Sequence, residues 1–486
     1  MIDFSDIERY KENNRIEAKK ALGGLPKSIW ETYSAFANTM GGVILLGVEE
    51  HKDKSLHPVD LPDPEKMVRE FWDIINNSGK VSVNILSEKN VTIYGINGKH
   101  IIGITVPRAQ RYDKPVYIDN NPITGSYRRS GEGDYRCSRE EVQAMMRDAN
   151  IKTRDMAVLE KMKPDVLNDD SVRRYRICME KQRLDHAWEK LERNEFLYKI
   201  GALDKGEDGE LHPTVAGLLM FGNAGEIYRE CPNFLLDFQE QSDMNGSLVD
   251  RIVSTADDWS GNIFDFYCRV YDKLVHDVKV PFRMEIGERV DETPVHCALR
   301  EALLNCIINA DYYGVGGIVV IKKGKQITMS NPGGFRIDIE AAKGGGVSDP
   351  RNAALIKMFN HINISECIGS GIPNIYNTWK QQGWSEPLIT ESFSPERITL
   401  TLMLEKSDRA RRVVKIDSKK VAIKKAAQKN AVIEYLTLNV SAKSAELAAF
   451  LEVKPFIIKG ILKQLVKEDI IVGEGSNTDK IYKLKA

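Results

Sequence analysis

One stretch of the chain carries polar side chains at the spacing of a helical face. Residues His296–Tyr312 read HCALREALLNCIINADY, which places Glu301, Asn305 and Asn309 at successive intervals of four. Side chains at this spacing project from one face of an α-helix. A carboxylate one turn before an amide suits a site in which the acid activates water and the amide oxygen binds Mg²⁺. The alternative is a core helix with a hydrogen-bonded polar edge.

Glycine-rich segments follow this helix in an order that could bind phosphate. In chain order they are Asn331-Pro332-Gly333-Gly334, Lys343–Gly346, Ser348–Asn352 and Gly369-Ser370-Gly371. Strand-like runs, Gly317–Lys322 and Gln326–Ser330, come before them, and Ile398–Leu404 should close the same sheet. The last glycine triplet opens a helical stretch, Ile372–Gln381. Such a turn presents free N–H groups and the positive end of the helix dipole to an anion.

This order of motifs resembles the GHKL ATPases, the class of gyrase, histidine kinases, chaperones and mismatch-repair proteins. The similarity is to a divergent RecG-like C-terminal branch, whose helix reads REAL-x-N-x-x-x-H-x-DY. The resemblance implies that ATP and Mg²⁺ bind, with Glu301 as base and Asn305 as metal ligand. It places these further residues at the nucleotide: Asn309, Asp311, Asn331, Gly333, Gly334, Arg351, Gly369 and Gly371. Asn309 stands where the branch usually has His, and Asn331 where standard members have an adenine-reading Asp.

A second group of carboxylates lies near the N-terminus. Glu12 and Glu17 precede a helical pattern over Pro26–Thr39, and Glu49 follows a buried strand-like run, Val43–Val48. Three carboxylates at a strand end could bind a divalent cation and activate water for phosphodiester cleavage. The alternative is that they are ordinary surface charges, as most glutamates are. Further strand-like runs are Val81–Leu86, Val91–Ile96 and Ile101–Val106.

Three motifs within residues 1–148 resemble the Schlafen Alba-like domain. They read NRIEAKK, SAFANT-x-GG-x-ILLGVEE and YRRSGEGDY. The resemblance implies a nucleic-acid-binding domain with the acids of Schlafen ribonucleases at Glu12, Glu17 and Glu49, Glu50 being the weaker third candidate. Those acids would hold Mg²⁺ or Mn²⁺. Ala18 replaces the Phe of the family's E-F-K motif, and Glu replaces its third Asp. Four basic residues could contact phosphates: Lys19, Lys20, Arg128 and Arg129.

The end of the chain has the pattern of a winged helix. The predicted helices are Ala431–Leu436, Ala445–Leu451 and Pro455–Val466, and the predicted strands are Ile470–Gly473 and Ile481–Leu484. The spacing of the helices fits a helix-turn-helix. Lys459, Lys463 and Lys467 on the third helix could bind nucleic acid. Winged helices also bind proteins, which is the alternative.

The order of these segments predicts an α/β (α+β) multidomain chain, and 486 residues suffice for several cores. The expected parts are a Schlafen Alba-like domain (1–148), a helical connector (149–200), a GHKL-like domain (201–405), a basic linker (406–429) and a winged helix (430–486). The basic linker is either a solvated hinge or an electrostatic arm.

Composition narrows the class of protein. The net charge is −1, so the chain as a whole does not attract nucleic acid and any basic surface is local. The seven cysteines include no C-x-x-C pair, which argues against a zinc or disulfide framework and for a reducing compartment. We expect a cytoplasmic protein, since neither a signal peptide nor a membrane-spanning apolar run is visible.

Three functional hypotheses follow. The leading one is an ATP-responsive, metal-dependent endoribonuclease that cuts tRNA or another structured RNA in anti-phage defence. In it, nucleotide binding orders the glycine-rich lid and changes how the Schlafen-like halves pair in a homo-oligomer. The second is an ATP-binding transcriptional regulator that binds DNA without cleaving it. The third is a scaffold whose nucleotide controls only oligomerisation.

Overall fold

The computed structural model describes most of the chain. The described residues are 12–182, 187–188, 190–276, 278, 283–285, 288–290, 293–346, 348–362, 371–393, 395–406, 428–451, 453, 455–474 and 480–485. They form two units, of which the first comprises residues 1–382 and 386–404 and the second comprises residues 383–385 and 405–486. Mixed α/β layers in several parts of the chain confirm the predicted multidomain fold.

The N-terminal part of the first unit is a four-stranded sheet around one buried helix. The strands are β1 (Ile16–Lys19), β2 (Gly42–Leu46), β5 (Val91–Ile96) and β6 (Lys99–Val106), in the order β1-β2-β6-β5. Helix α1 (Ile29–Asn38) is buried along nearly its whole length, as its apolar sequence requires. The chain leaves the helix through Gly41, whose φ is +72° and whose added Cβ would lie 2.7 Å from the Val106 carbonyl oxygen.

Short elements complete this part. They are β3 (Val48–Glu50), β4 (Leu56–Pro58), α2 (Pro64–Ile75), α3 (Pro122–Gly125), β7 (Tyr127–Ser130), β8 (Gly133–Arg136) and α4 (Arg139–Ala149). Helix α4 begins at a capping box formed by Ser138 and Glu141.

The prediction of a strand over Val81–Leu86 is wrong. Val81 makes an isolated bridge to Ile118, and the rest of the segment joins no sheet. The reason is a side chain: the Tyr33 hydroxyl donates to the Val83 carbonyl at 3.0 Å and accepts from the Ile85 amide at 2.9 Å. These bonds take the place of the ladder that a strand would need.

The middle of the chain is largely helical and packs onto the part that follows. Its elements are α5 (Asp169–Gln182), α6 (Arg193–Lys199), β9 (Leu203–Lys205), β10 (Leu211–Pro213), α7 (Val215–Phe221) and α8 (Ala224–Glu230). Every residue of α7 is buried, which agrees with its continuous apolar sequence. The buried Tyr175 of α5 donates its hydroxyl to the Met358 carbonyl at 2.6 Å, so the middle segment is fixed to the last part of the first unit.

A six-stranded sheet dominates that last part. Its strands are β11 (Leu236–Gln241), β12 (Leu248–Val253), β15 (Ile318–Lys323), β16 (Gln326–Pro332), β17 (Leu388–Phe393) and β18 (Glu396–Met403). Their order is β12-β11-β15-β16-β18-β17, and only β11 and β15 pair in parallel. The other elements are α9 (Ile263–Val275), β13 (Arg283–Glu285), β14 (Glu288–Val290), α10 (Pro294–Ile308), α11 (Ile339–Gly344), α12 (Ala353–His361) and α13 (Gly371–Gln382). Helix α10 packs against α9, α13 and β16.

Where the structure describes it, the second unit contains three helices and a small antiparallel sheet. Residues 428–439 form helix α14. The other elements are β19 (Ala442–Lys443), α15 (Ser444–Phe450), α16 (Pro455–Lys467), β20 (Ile471–Glu474) and β21 (Ile481–Leu484). They occur close to the bounds expected for a winged helix and enclose a separate apolar core. Residues 407–427 of the expected basic linker lie outside the described residues. Among the helices that the structure describes, none is long and apolar enough to cross a bilayer.

Candidate nucleotide site and acidic cluster

Helix α10 forms one wall of a large cavity. Thr293 caps the helix and Pro294 opens it, so its start is fixed by side-chain bonds and by proline geometry. The polar residues of the predicted face line this cavity. That cavity is bounded also by β16, by the turn after it, by Ser348–Pro350 and by the first turns of α13. The structure therefore brings together these predicted residues: Glu301, Asn305, Asn309, Asn331, Gly334 and Gly371.

The acid and amide of α10 meet the N-terminus of α13. A Cβ added to Gly371 would collide with Glu301 Oε1 and would lie 2.8 Å from Asn305 Nδ2. The Asn305 Nδ2 atom is buried and has no hydrogen-bond partner in the described part of the chain. Burial raises the pKa of the Glu301 carboxyl to about 7. An unsatisfied amide and a nearly neutral carboxyl at a helix N-terminus indicate a site prepared for a ligand.

These features fit a bound nucleotide with Mg²⁺. Rotating the Asn305 amide by half a turn would present its oxygen, a ligand that Mg²⁺ accepts, in place of the unsatisfied nitrogen. Because Gly371 has no side chain, Glu301 and Asn305 can lie directly against the backbone at the start of α13. Gly369, the other glycine of this turn, lies outside the described residues.

The opposite wall is a turn between β16 and α11. Asn331 is buried at the end of β16 and donates through Nδ2 to the Pro332 carbonyl at 3.2 Å. Gly333 has φ of +93°, a left-handed conformation that favours glycine. The cavity wall continues through Gly334 and Phe335 and is otherwise apolar, with side chains such as Met329, Ile398 and Leu400. An apolar wall with one buried amide suits a nucleobase.

Two predicted nucleotide residues lie behind this turn and do not line the cavity. Arg351 pairs with Asp148 and donates to the carbonyls of Gly334 and Asn309, at 2.9 and 3.1 Å. Asp311 accepts from Arg147 at 3.0 Å. The Arg351 side chain therefore supports the walls of the cavity from outside.

Two residues that line the cavity, Arg336 and Asp349, were not assigned to it individually from the sequence. Arg336 follows Gly334 by two residues, and Asp349 lies within Ser348–Asn352. Their position next to or within these segments could have suggested them. Glu391, which bonds the backbone of Phe335, comes from an edge strand 56 residues away. No local pattern predicts that contact.

The N-terminal acids are only partly gathered. Glu12 accepts from the Ala18 amide at 2.8 Å, and Glu17 accepts from Lys19 at 2.9 Å. Burial raises the pKa of Glu12, and the negative charges of Glu17 and Glu50 raise it further. Glu12, Glu17 and Glu50 therefore form one electrostatic group, which we call the acidic cluster.

Glu49 lies apart from the acidic cluster. Glu49 and Glu50 are neighbours on β3, and successive side chains of a strand point to opposite faces. Glu49 accepts from Lys20 at 2.9 Å, and this bond lowers the pKa of the Glu49 carboxyl. Glu50 lies 3.4 Å from Lys54, while its buried Oε1 accepts no hydrogen bond from any described residue. The described residues contain no group of three His, Cys, Asp or Glu side chains that could hold a metal ion.

The basic residues predicted to contact phosphate are already paired with carboxylates. Arg129 is buried and bonds Glu17 and Asp134, both at 2.9 Å. Arg128 bonds Glu141 at 3.1 Å. Lys19 and Lys20 bond Glu17 and Glu49, and only Lys20 of the four remains about half exposed. Arg129 therefore positions Glu17 within the fold. In the second unit, Lys459, Lys463 and Lys467 are exposed on α16.

Comparison with known families assigns three parts of the chain. Residues 12–138 match the family "Schlafen, AlbA_2". Residues 143–237 match a "Domain of unknown function (DUF8451)". Residues 320–402 match the family "Putative ATP-dependent DNA helicase recG C-terminal". No curated protein sequence matches the chain.

Two solved structures are similar to the chain. The match with the DIP2311 protein from Corynebacterium diphtheriae covers 100% of this chain and 97% of that protein, at 17% identity and a TM-score of 0.39. The N-terminal domain of a RecG-related protein from Nitrosomonas europaea matches 28% of this chain with 94% of its own, at 33% identity and a TM-score of 0.23. The chain therefore contains a Schlafen AlbA_2 domain and a RecG C-terminal, ATPase-like domain.

Proposed function

We propose that this chain is a nucleic-acid-binding protein whose ATPase-like part binds ATP with Mg²⁺. The observation that carries the proposal is the meeting of Glu301 and Asn305 with the N-terminus of α13 inside one cavity. The family match over residues 320–402 supports the same ligand. The apolar wall of the cavity suits the base of a nucleotide.

In this proposal each side chain has a separate task. The first amides of α13 bind phosphate through N–H groups and the helix dipole. Asn305 would hold Mg²⁺, which supplies neutralisation of phosphate charge when bound. The pKa of Glu301, about 7, is suited to a general base that takes a proton from water near neutral pH.

A displacement experiment tests nucleotide binding. A fluorescent ATP analogue is bound to the full chain with Mg²⁺ and displaced with ATP, ADP or GTP, and each titration is repeated with EDTA. ATP should displace the analogue, and removing Mg²⁺ should weaken its binding. If no nucleotide displaces it, or if the analogue does not bind, the proposal is wrong.

The finer function proposed for the N-terminal domain is metal-dependent endoribonuclease activity on structured RNA. The observation that favours it is the acidic cluster, in which two neighbouring charges raise the pKa of Glu12. A cation would relieve this repulsion. Restraint by a nucleotide switch suits a role in anti-phage defence, because uncontrolled cleavage of RNA would harm the host. A homo-oligomer rearranged by ATP is part of this proposal.

The alternative is an ATP-binding regulator that binds DNA without cleaving it. The pairing of Glu17 with Lys19 and Arg129 favours this alternative, because it already neutralises one acid. The two are separated by incubating the chain with tRNA, mRNA and duplex DNA, with Mg²⁺ or Mn²⁺, in the presence and absence of ATP. Cleavage that disappears in Glu17→Gln supports the nuclease. Binding of DNA without cleavage of any substrate supports the regulator.

A further inference from the structure

Side chains of the AlbA_2 domain hold the wall of the nucleotide cavity. Arg108 follows β6 and donates to the Phe335 carbonyl at 2.6 Å. The same guanidinium forms two bonds to Glu391, at 2.6 and 2.9 Å, and Glu391 accepts from the Phe335 amide at 2.7 Å. Both backbone polar groups of Phe335 are thus fixed by one ion pair. Since Phe335 lines the cavity, the ion pair sets the position of its wall.

A second arginine of the same segment holds the other side of the opening. Arg111 is buried and donates through Nε to Asp349 at 2.6 Å. Its Nη1 donates to the carbonyls of Asp148 and Asn150, at 2.6 and 2.8 Å. Asp349 belongs to the segment Ser348–Pro350, which lines the cavity. The two arginines therefore bond both the turn after β16 and this segment.

The segment that carries these arginines is attached to the end of α1. The Ala109 amide donates to the Ala37 carbonyl at 2.8 Å, and Lys114 Nζ donates to the Asn38 carbonyl at 2.7 Å. Nearer the start of α1, the Thr32 hydroxyl donates to the Asp134 carboxylate at 2.7 Å. Asp134 in turn pairs with Arg129, which bonds Glu17. One helix thus contacts elements of both sites.

We propose that Arg108 and Arg111 are positioning residues of the nucleotide site, and that through them nucleotide binding stabilises α1 and the segment around residues 107–116. This inference rests on the proposed nucleotide binding. The Glu391 side chain is fully buried, so water does not solvate its carboxylate when the ion pair with Arg108 breaks. A ligand that fixes Phe335 and Asp349 restrains both arginines. By linkage, the state of the AlbA_2 domain changes nucleotide affinity by the same factor.

The test compares four full-length proteins. Arg108→Ala alone leaves Glu391 buried and unpaired, so the informative variant is Arg108→Ala combined with Glu391→Gln, in which the glutamine can still accept from Phe335. Arg111→Ala tests the second contact. The control is Arg193→Ala, because Arg193 also bonds a carboxylate and two carbonyls but lies outside the cavity lining. Wild type is the fourth protein.

Calorimetry with a non-hydrolysable ATP analogue and Mg²⁺ gives the first result. We expect about a tenfold or greater loss of affinity in the double variant and in Arg111→Ala, the amount that a lost charged hydrogen bond predicts. Arg193→Ala should bind like wild type. Unchanged affinity in both site variants, each with a wild-type melting transition, overturns the positioning role while leaving nucleotide binding itself intact.

Amide hydrogen exchange at saturating analogue gives the second result, which a merely local structural role would not produce. Nucleotide should slow exchange in peptides covering residues 29–39 and 107–116 of wild type and of Arg193→Ala. The slowing should be smaller in the double variant even when its nucleotide site is filled, because Arg111 is then the remaining link. Equal slowing in the double variant, or none in wild type that binds the analogue, contradicts the coupling. Failure of wild type to bind the analogue would instead reject the proposed function.

Discussion

The pKa of the Glu301 carboxyl is set by the residues that surround it. It lies on a helix whose other faces are buried and apolar, next to Ala302 and Leu304. Burial disfavours the charged carboxylate and raises its pKa from the ordinary 4.5 to about 7. The nearby Arg300 opposes this shift but does not outweigh it. The carboxyl therefore changes charge near neutral pH, where a catalytic base is most effective.

Replacing Glu301 by Gln should alter the pH dependence of stability and of turnover. The folded-state pKa is raised, so wild type loses stability as pH rises from 4.5 to about 7, and Glu301→Gln does not. The variant should therefore gain in melting temperature relative to wild type between about pH 5 and about pH 8. Any ATP hydrolysis by wild type should rise with pH up to about 7 and be absent from the variant. A difference in melting temperature that is the same at both pH values would contradict a raised pKa.

Asn305 and Asn309 offer a matched pair on the same helix face. Asn309 already donates to the Asn305 carbonyl at 3.0 Å, whereas Asn305 Nδ2 has no partner among the described residues. Asn305→Ala should thus remove most of the Mg²⁺-dependent affinity for ATP, by about tenfold or more, while Asn309→Ala has a smaller effect. Titrations with and without Mg²⁺ measure both. Equal losses in the two variants would count against Asn305 as the metal ligand.

At the scale of elements, the sequence predicts those helices and strands that depend on a local pattern of apolar residues. The apolar spacing of α1 and α10 and the alternation in β6 and β18 give elements close to the expected bounds. The strand expected over Val81–Leu86 failed because Tyr33, about 50 residues earlier, takes its backbone bonds. The assignment of Glu49 to the acids depended on strand parity within β3, which the run of two glutamates leaves open.

The two glutamates of β3 make the nuclease proposal testable. Glu50→Gln should abolish metal-dependent RNA cleavage, because Glu50 belongs to the acidic cluster. Glu49→Gln should leave cleavage unchanged, since Glu49 is bound to Lys20 on the other face. Gel assays with tRNA and Mn²⁺ provide the measurement. Loss of cleavage in Glu49→Gln alone would restore the original assignment of the third acid.

Helix α16 carries the prediction for the second unit. If Lys459 and Lys463 each neutralise one phosphate, Lys459→Ala with Lys463→Ala should reduce the slope of log affinity against log salt by about 1.8 on duplex DNA. Lys485→Ala is the control, because Lys485 already pairs with Asp469 at 2.6 Å. The affinity of each protein for duplex DNA, measured at several salt concentrations, gives this slope. An unchanged slope would assign the winged-helix-like unit to protein contact.

At the scale of the whole molecule, contacts between distant segments decide how the parts of the first unit work together. The ion pairs of Arg108, Arg111 and Arg351 join residues that are about 200 or more positions apart. None of them could be predicted from the sequence, because an isolated arginine does not indicate its partner. The near-zero net charge of the chain gives no sign of these ion pairs either, since the charge of each arginine cancels that of its carboxylate partner.

The nucleotide site at the start of α13 is tested most directly by calorimetry on variants of single glycines. Gly371 and Gly225 both lie in the first turn of a helix, but only Gly371 faces Glu301 and Asn305, and a Cβ at Gly225 would meet nothing within 4 Å. A non-hydrolysable ATP analogue with Mg²⁺ is titrated into wild type, Gly371→Val and Gly225→Val. The account predicts binding to wild type and Gly225→Val and little or none to a folded Gly371→Val. Equal binding to all three proteins would contradict a nucleotide site at the start of α13.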